Sequence, residues 1–178
     1  MRPQRRKRDQ IKQRHEKAVA DQLLEVLKIA ANFEAMGDPT RGEPDVIYAV
    51  AGKKLGIEVA TVYYDNTDAR DGWTLAAGER EFSPAGYELR SGSTIVDPSS
   101  LMFRRIQTEV DDKCSKQYER ADEVWLCLEV RTALLDNMKV RECVRALNVP
   151  AGHEFKRLYV LYTSPLDQGL LPTAVEFR

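Results

Sequence analysis

The stretch Pro44-Asp45-Val46-Ile47-Tyr48-Ala49-Val50-Ala51-Gly52-Lys53-Lys54-Leu55-Gly56-Ile57-Glu58-Val59-Ala60-Thr61 decides how this chain folds. Two runs rich in Val, Ile and Tyr flank Gly52-Lys53-Lys54, the pattern of two strands joined by a hairpin turn. The strands are expected over about 45–50 and 55–63. Side chains alternate between faces along a strand, so Ile57, Val59 and Thr61 share one face and Glu58, Ala60 and Val62 the other. With the turn centred on Gly52-Lys53, Asp45 lies nearly opposite Ala60 and diagonal to Glu58 on one face. Two carboxylates placed in this way suit a shared cation.

Outward from the hairpin, the pattern predicts a helix from about Asp9 to Met36, with Val19, Leu23, Leu27, Ala30 and Ala31 on one apolar stripe. Glu34 stands seven residues after Leu27 and so extends that stripe with a carboxylate. Gly37, Asp38, Pro39, Gly42 and Pro44 break the helix. After the hairpin, residues 64–100 form a long connection of the kind that is often functional. A second helix is expected from about Ser99 to Tyr118, with Ser99 or Ser100 as N-cap and Phe103, Ile106, Val110 and Cys114 on its apolar side. Residues 123–130 read as a buried strand, 132–147 as a third helix and 157–163 as a further strand. The class is therefore α/β, a mixed sheet flanked by helices.

With 178 residues and 43% hydrophobic side chains the chain can bury one proper core. The expected organisation is a basic arm over 1–17 and a single domain over 18–178 with a long insertion at 64–100. No apolar run approaches the roughly 20 residues of a membrane span, and no signal-like apolar segment follows the basic start, so a soluble cytoplasmic protein is expected. Cys114, Cys127 and Cys143 lack Cys-x-x-Cys spacing, and His15 and His153 are the only histidines. Disulfide frameworks, structural zinc and histidine-rich metal chemistry are thereby disfavoured. The overall charge of -1 hides an asymmetry: residues 1–17 hold eight Arg and Lys against Asp9 and Glu16, a net +6, which leaves -7 on the remainder. Such an arm, with Arg5, Arg6, Lys7, Arg8, Lys12 and Arg14, can neutralise phosphates of nucleic acid; the other reading is a solvated terminus.

This succession, with Pro44-Asp45 answered by Gly56-Ile57-Glu58-Val59, resembles the PD-(D/E)XK nuclease superfamily, the restriction-endonuclease-like fold, over roughly 18–130. The resemblance implies an αβββαβ core in which an acid of the first helix joins two strand acids at a divalent metal. The Pro-Asp falls on Pro44 and Asp45, the second acid on Glu58, and the first-helix glutamate on Glu34. The superfamily's lysine falls on Ala60, a departure that bears directly on catalysis. Some branches carry that amine on the helix after the hairpin, where Lys113 lies close to the face of Ile106 and Val110. Lys116 is rotated further away, and Gln107 is a weaker polar candidate; Lys113 is equally readable as a surface lysine.

The chemistry also follows from the residues. A hard cation such as Mg²⁺ or Mn²⁺ prefers carboxylate, carbonyl and water oxygens, so Asp45, Glu58 and the Val59 carbonyl would supply a partial shell. The expected function is a divalent-metal-dependent nuclease hydrolysing DNA phosphodiester bonds. Two alternatives stand beside it: a catalytically inactive nuclease-like DNA-binding or assembly module, and a structural or protein-interaction domain in which Glu58 pairs with Arg104 or Arg105. Nucleic acid, DNA in the first instance, is the expected partner and a membrane is not. A homodimer would suit the cutting of both strands, though no seam for one is legible.

Overall fold

The computed structural model describes residues 3–63, 98–131, 137–163 and 172–178. In chain order these form α1 (Pro3–Val26), β1 (Asn32–Met36), a 3-10 turn (Pro39–Arg41), β2 (Val46–Val50), β3 (Lys53–Tyr63), α2 (Pro98–Cys114), β4 (Glu123–Arg131), α3 (Asn137–Arg145), β5 (Phe155–Thr163) and β6 (Pro172–Phe177). The six strands lie side by side in sequence order. The β3–β4 and β4–β5 pairs are parallel and the other three pairs antiparallel, so the sheet is mixed.

Helices cover both faces, and the side-chain alternation of the strands decides which residues each helix meets. Val19, Ala20, Leu23 and Leu24 of α1 pack on Val46, Tyr48, Ile57, Val59 and Cys127. On the opposite face Met102, Ile106 and Val110 of α2, with Val140 and Val144 of α3, pack on Ala60, Val62, Leu126, Leu128 and Val160. Strands β4 and β5 are buried on both sides, which explains their unbroken apolar runs. No helix among the described residues is long and apolar enough to cross a membrane.

Several expectations need correction. The helix expected over 9–36 starts earlier and stops at Val26, where Lys28 takes a left-handed φ of 56°. The Lys28 amide bonds to the Glu25 carbonyl and the Ile29 amide to the Leu24 carbonyl. This is a Schellman stop formed without the glycine that would have announced it. Residues 32–36 then form β1 against β2, so Glu34 lies on an exposed edge strand at a register shift, not on a helix. The hairpin turn is Ala51-Gly52, both at positive φ, so Val50 pairs with Lys53 and Val46 with Ile57. Continued by one residue, that register sets Asp45 opposite Glu58 instead of Ala60. The second helix ends at Cys114, which leaves Tyr118 in the loop before β4, and strand β6 has no counterpart in the sequence reading. The long connection, 64–97, lies outside the described residues.

Pro44, which leads into β2, is pinched between two glycines. A Cβ on Gly37 would fall 1.8 Å from the Pro44 carbonyl oxygen, and one on Gly56 would fall 2.3 Å from the Pro44 ring. Both positions need a residue without a side chain. Gly56→Ala is therefore expected to destabilise the fold by about 1–3 kcal/mol through forced overpacking. A denaturant midpoint unchanged from wild type would contradict the pinch.

Candidate active site

Asp45 and Glu58 meet where β2 begins, on the sheet face that α2 covers. In the hairpin, Val50–Lys53, Tyr48–Leu55 and Val46–Ile57 alternate outward from a two-residue turn, so the backbone groups of Val59 point toward the β2 edge. The next position there is Pro44, which has no N–H to give. The Val59 amide instead donates to Asp45 Oδ2 at 2.9 Å. The Val59 carbonyl lies on that same edge, with no strand amide opposite to take it.

Lys113, in the last turn of α2, crosses to this corner. Its ammonium donates to Glu58 Oε1 at 2.6 Å, and the two side chains are only 14% and 8% exposed. The expected pair of Glu58 and Lys113 is thus brought together, whereas Ala60 is buried beside them in the core. Lys116 is engaged by Asp112 at 2.8 Å. Gln107 exchanges hydrogen bonds with the backbone of Asn148, so it ties α2 to the segment after α3.

Glu34 does not reach this corner; a different acid does. Glu16, on α1, is 6% exposed, is held by Lys12 at 3.0 Å, and lies close enough to Asp45 to raise its pKa. Its neighbour His15 has Nε2 at 2.9 Å from Glu129 Oε2 and 3.0 Å from Thr61 Oγ1, which fixes α1 over the β3–β4 ladder. The signal for Glu16 was present in the sequence. It precedes Val19, Ala20 and Leu23 by three, four and seven residues, the spacing of one helix face.

The electrostatics follow from this crowding. Burial, then the negative Glu16, pushes the Asp45 carboxyl up from its ordinary value; the Val59 amide, Lys113 and Lys12 work the other way. Burial, then Asp45, likewise raises Glu58 against the pull of Lys113. Burial alone would lower the Lys113 ammonium, but Glu58 and Asp45 together hold it above its ordinary pKa, firmly charged. Tyr118 stacks on Phe155 at 5.1 Å between centroids. Its buried hydroxyl lies close to Glu58 and Asp45, and burial together with these two carboxylates pushes its pKa up.

The loop leading to Asp45 is tied to the loop that carries Tyr118. Glu43 accepts from the Asp38 amide and from Arg120, each at 2.9 Å, and the Glu119 amide donates to the Gly42 carbonyl at 2.9 Å. Arg120 holds the Glu43 carboxyl below the usual range, with help from the Asp38 amide. Arg120 itself sits at a strained φ of 67°. Between these loops lies an open cleft of about 640 Å³ bordered by Arg41, Glu43, Gln117 and Arg120.

Among the described residues no three acidic, histidine or cysteine side chains converge tightly enough to hold a metal by themselves. The arrangement suits a cation that needs less: two carboxylates, the Val59 carbonyl and water, which is how Mg²⁺ is commonly held. Of the basic residues expected to meet phosphate, Arg8, Lys12 and Arg14 stand on α1, and the side chains of Arg5, Arg6 and Lys7 lie outside the described residues. Compared with protein-family models, with curated proteins and with solved structures, the chain matches none.

A raised carboxyl pKa means that ionising Asp45 costs folding free energy. Below its ordinary pKa of 3.8 the group is protonated in both states and nothing is lost. As pH rises from there the unfolded chain ionises first, and the penalty is complete above the folded-state pKa. Asp45→Asn is accordingly expected to melt higher than wild type at neutral pH, with the gain fading toward pH 3.8. Thermal melts across that range check this; a variant less stable at neutral pH would overturn the electrostatic reading.

Proposed function

We propose that this chain is a divalent-metal-dependent nuclease that hydrolyses DNA phosphodiester bonds. The observation that carries the reading is the convergence of Asp45, Glu58 and the Lys113 ammonium in one corner, because an amine arriving from α2 answers the missing lysine at Ala60. Two further features support it. The order α1-β1-β2-β3-α2-β4 is the αβββαβ succession of the restriction-endonuclease-like core. An acid of the first helix also stands near the strand acids, Glu16 in place of the expected Glu34.

In this reading Asp45, Glu58 and the Val59 carbonyl hold Mg²⁺ or Mn²⁺. When bound, such a cation acidifies water and neutralises charge that develops on the phosphate. The protein's own groups do the rest. The Val59 amide fixes the Asp45 carboxylate, and Lys113 supplies a fixed positive charge that can hold the attacking water or a phosphate oxygen by a charged hydrogen bond. Tyr118 brings a hydroxyl donor close to Glu58. One observation favours the inactive DNA-binding alternative: the short Lys113–Glu58 pair satisfies both partners without a metal. The structural alternative placed Glu58 against Arg104 or Arg105, and its partner is Lys113.

Purified protein incubated with plasmid and linear DNA plus Mg²⁺ or Mn²⁺ is expected to cleave, and Asp45→Ala and Glu58→Ala to abolish cleavage. Lys113→Met is expected to lower the rate by roughly 10²–10³-fold, the usual loss for one fixed donor at a charged transition state. Equal cleavage by wild type and the acid variants would mean contamination and would end the assignment. In parallel, Mn²⁺ is expected to raise the melting temperature of wild type and not of Asp45→Ala. A metal-dependent rise with no cleavage would select the inactive module.

A further inference from the structure

Helix α1 covers one face of the sheet with residues 19–24, but its earlier turns extend past that core, and their charge is not evenly arranged. Successive residues advance by about 100° around a helix. From Glu16, Lys12 is therefore about 40° away and Arg8 about 80°, one and two turns toward the N-terminus, whereas Arg14 is about 160° round on the far side. The three side chains Arg8, Lys12 and Glu16 make a ridge that ends at Asp45.

The two lysines of the site differ in their circumstances. Lys113 is sealed in at 14% exposure against Glu58, while Lys12 is 60% exposed although its ammonium reaches Glu16 at 3.0 Å. Lys12 also lies within electrostatic reach of both Asp45 and Lys113. With three N–H donors and a side chain largely open to solvent, Lys12 can take a phosphate while still holding the buried Glu16.

We infer that this ridge is a track for one strand of the substrate, with Lys12 taking a phosphate about two nucleotides from the one being cut and Arg8 taking one about two further along. The inference rests on the nuclease reading and adds to it the direction in which DNA leaves the acids. The dimensions agree. Lys12 and Arg8 lie about 6 and 12 Å from Glu16 along the helix axis, roughly the axial reach of two and four nucleotides. The basic segment is thus not a diffuse cloud of charge: Arg8 and Lys12 bind and Arg14 does not.

The test measures binding of the full chain to a labelled short DNA duplex in EDTA, by fluorescence anisotropy over a range of KCl concentrations. Lys12→Gln, Arg8→Gln and Arg14→Gln each remove one positive charge. Lys12→Gln and Arg8→Gln are expected each to flatten the slope of log K against log salt by about 0.9 and to weaken binding severalfold, while Arg14→Gln keeps the wild-type slope. Equal losses in all three variants, or wild-type slopes in Lys12→Gln and Arg8→Gln, overturn the track. Failure of the nuclease reading looks different: wild type would bind with the ridge-dependent slopes but would cut nothing with Mg²⁺ or Mn²⁺.

Discussion

Two carboxylates facing each other at the buried start of a strand repel, and one ammonium keeps them there. Lys113 is the counterweight that lets Asp45 and Glu58 share a corner with α2 packed over it. Much of the local architecture serves that juxtaposition. The pinch of Pro44 between Gly37 and Gly56 fixes where β2 begins, the Val59 amide orients Asp45, and the Glu43–Arg120 pair holds the approaching loop. The sheet would form without these acids. Their retention in a position that raises both pKa values is a cost to stability, and costs of this kind concentrate where chemistry is done.

The hairpin was legible because its signals are local: alternating Val, Ile and Tyr, and a Gly-Lys-Lys break. Its register was harder. Choosing Gly52-Lys53 over Ala51-Gly52 as the turn moves the facing residue by two positions, and alanine at a left-handed φ gives little warning of itself. The end of α1 was hidden for a related reason. Lys28 takes the conformation that glycine normally announces, so the apolar spacing of Ala30 and Ala31 read as continued helix, and β1 was missed with it. Strand β6 is an edge strand whose partner β5 supplies its order, and little in Pro172-Thr173-Ala174-Val175-Glu176-Phe177 separates it from a loop.

The site was legible where it depends on strand alternation and on helix phase. Asp45, Glu58 and Lys113 fell together because a period of two and a period of 3.6 are each reliable over a few residues. Glu34 failed because its placement required one helix to continue across a boundary. Glu16 was open to the same phase argument on firmer ground, since it precedes the best-packed stretch of α1; its pairing with Lys12 inside a basic run disguised it as an ordinary solvated charge.

The order of the strands has a consequence for how the chain assembles. Every strand pairs with its neighbours in sequence, and three of the five pairings are antiparallel; two of these, β1–β2 and β2–β3, span few residues. The parallel steps β3–β4 and β4–β5 need crossovers, and the first must close a loop of about sixty residues before any contact repays its entropy. Non-local closures of this kind are slow to form. The same crossover carries Lys113 to Glu58, so the corner is complete only once α2 has docked on the sheet.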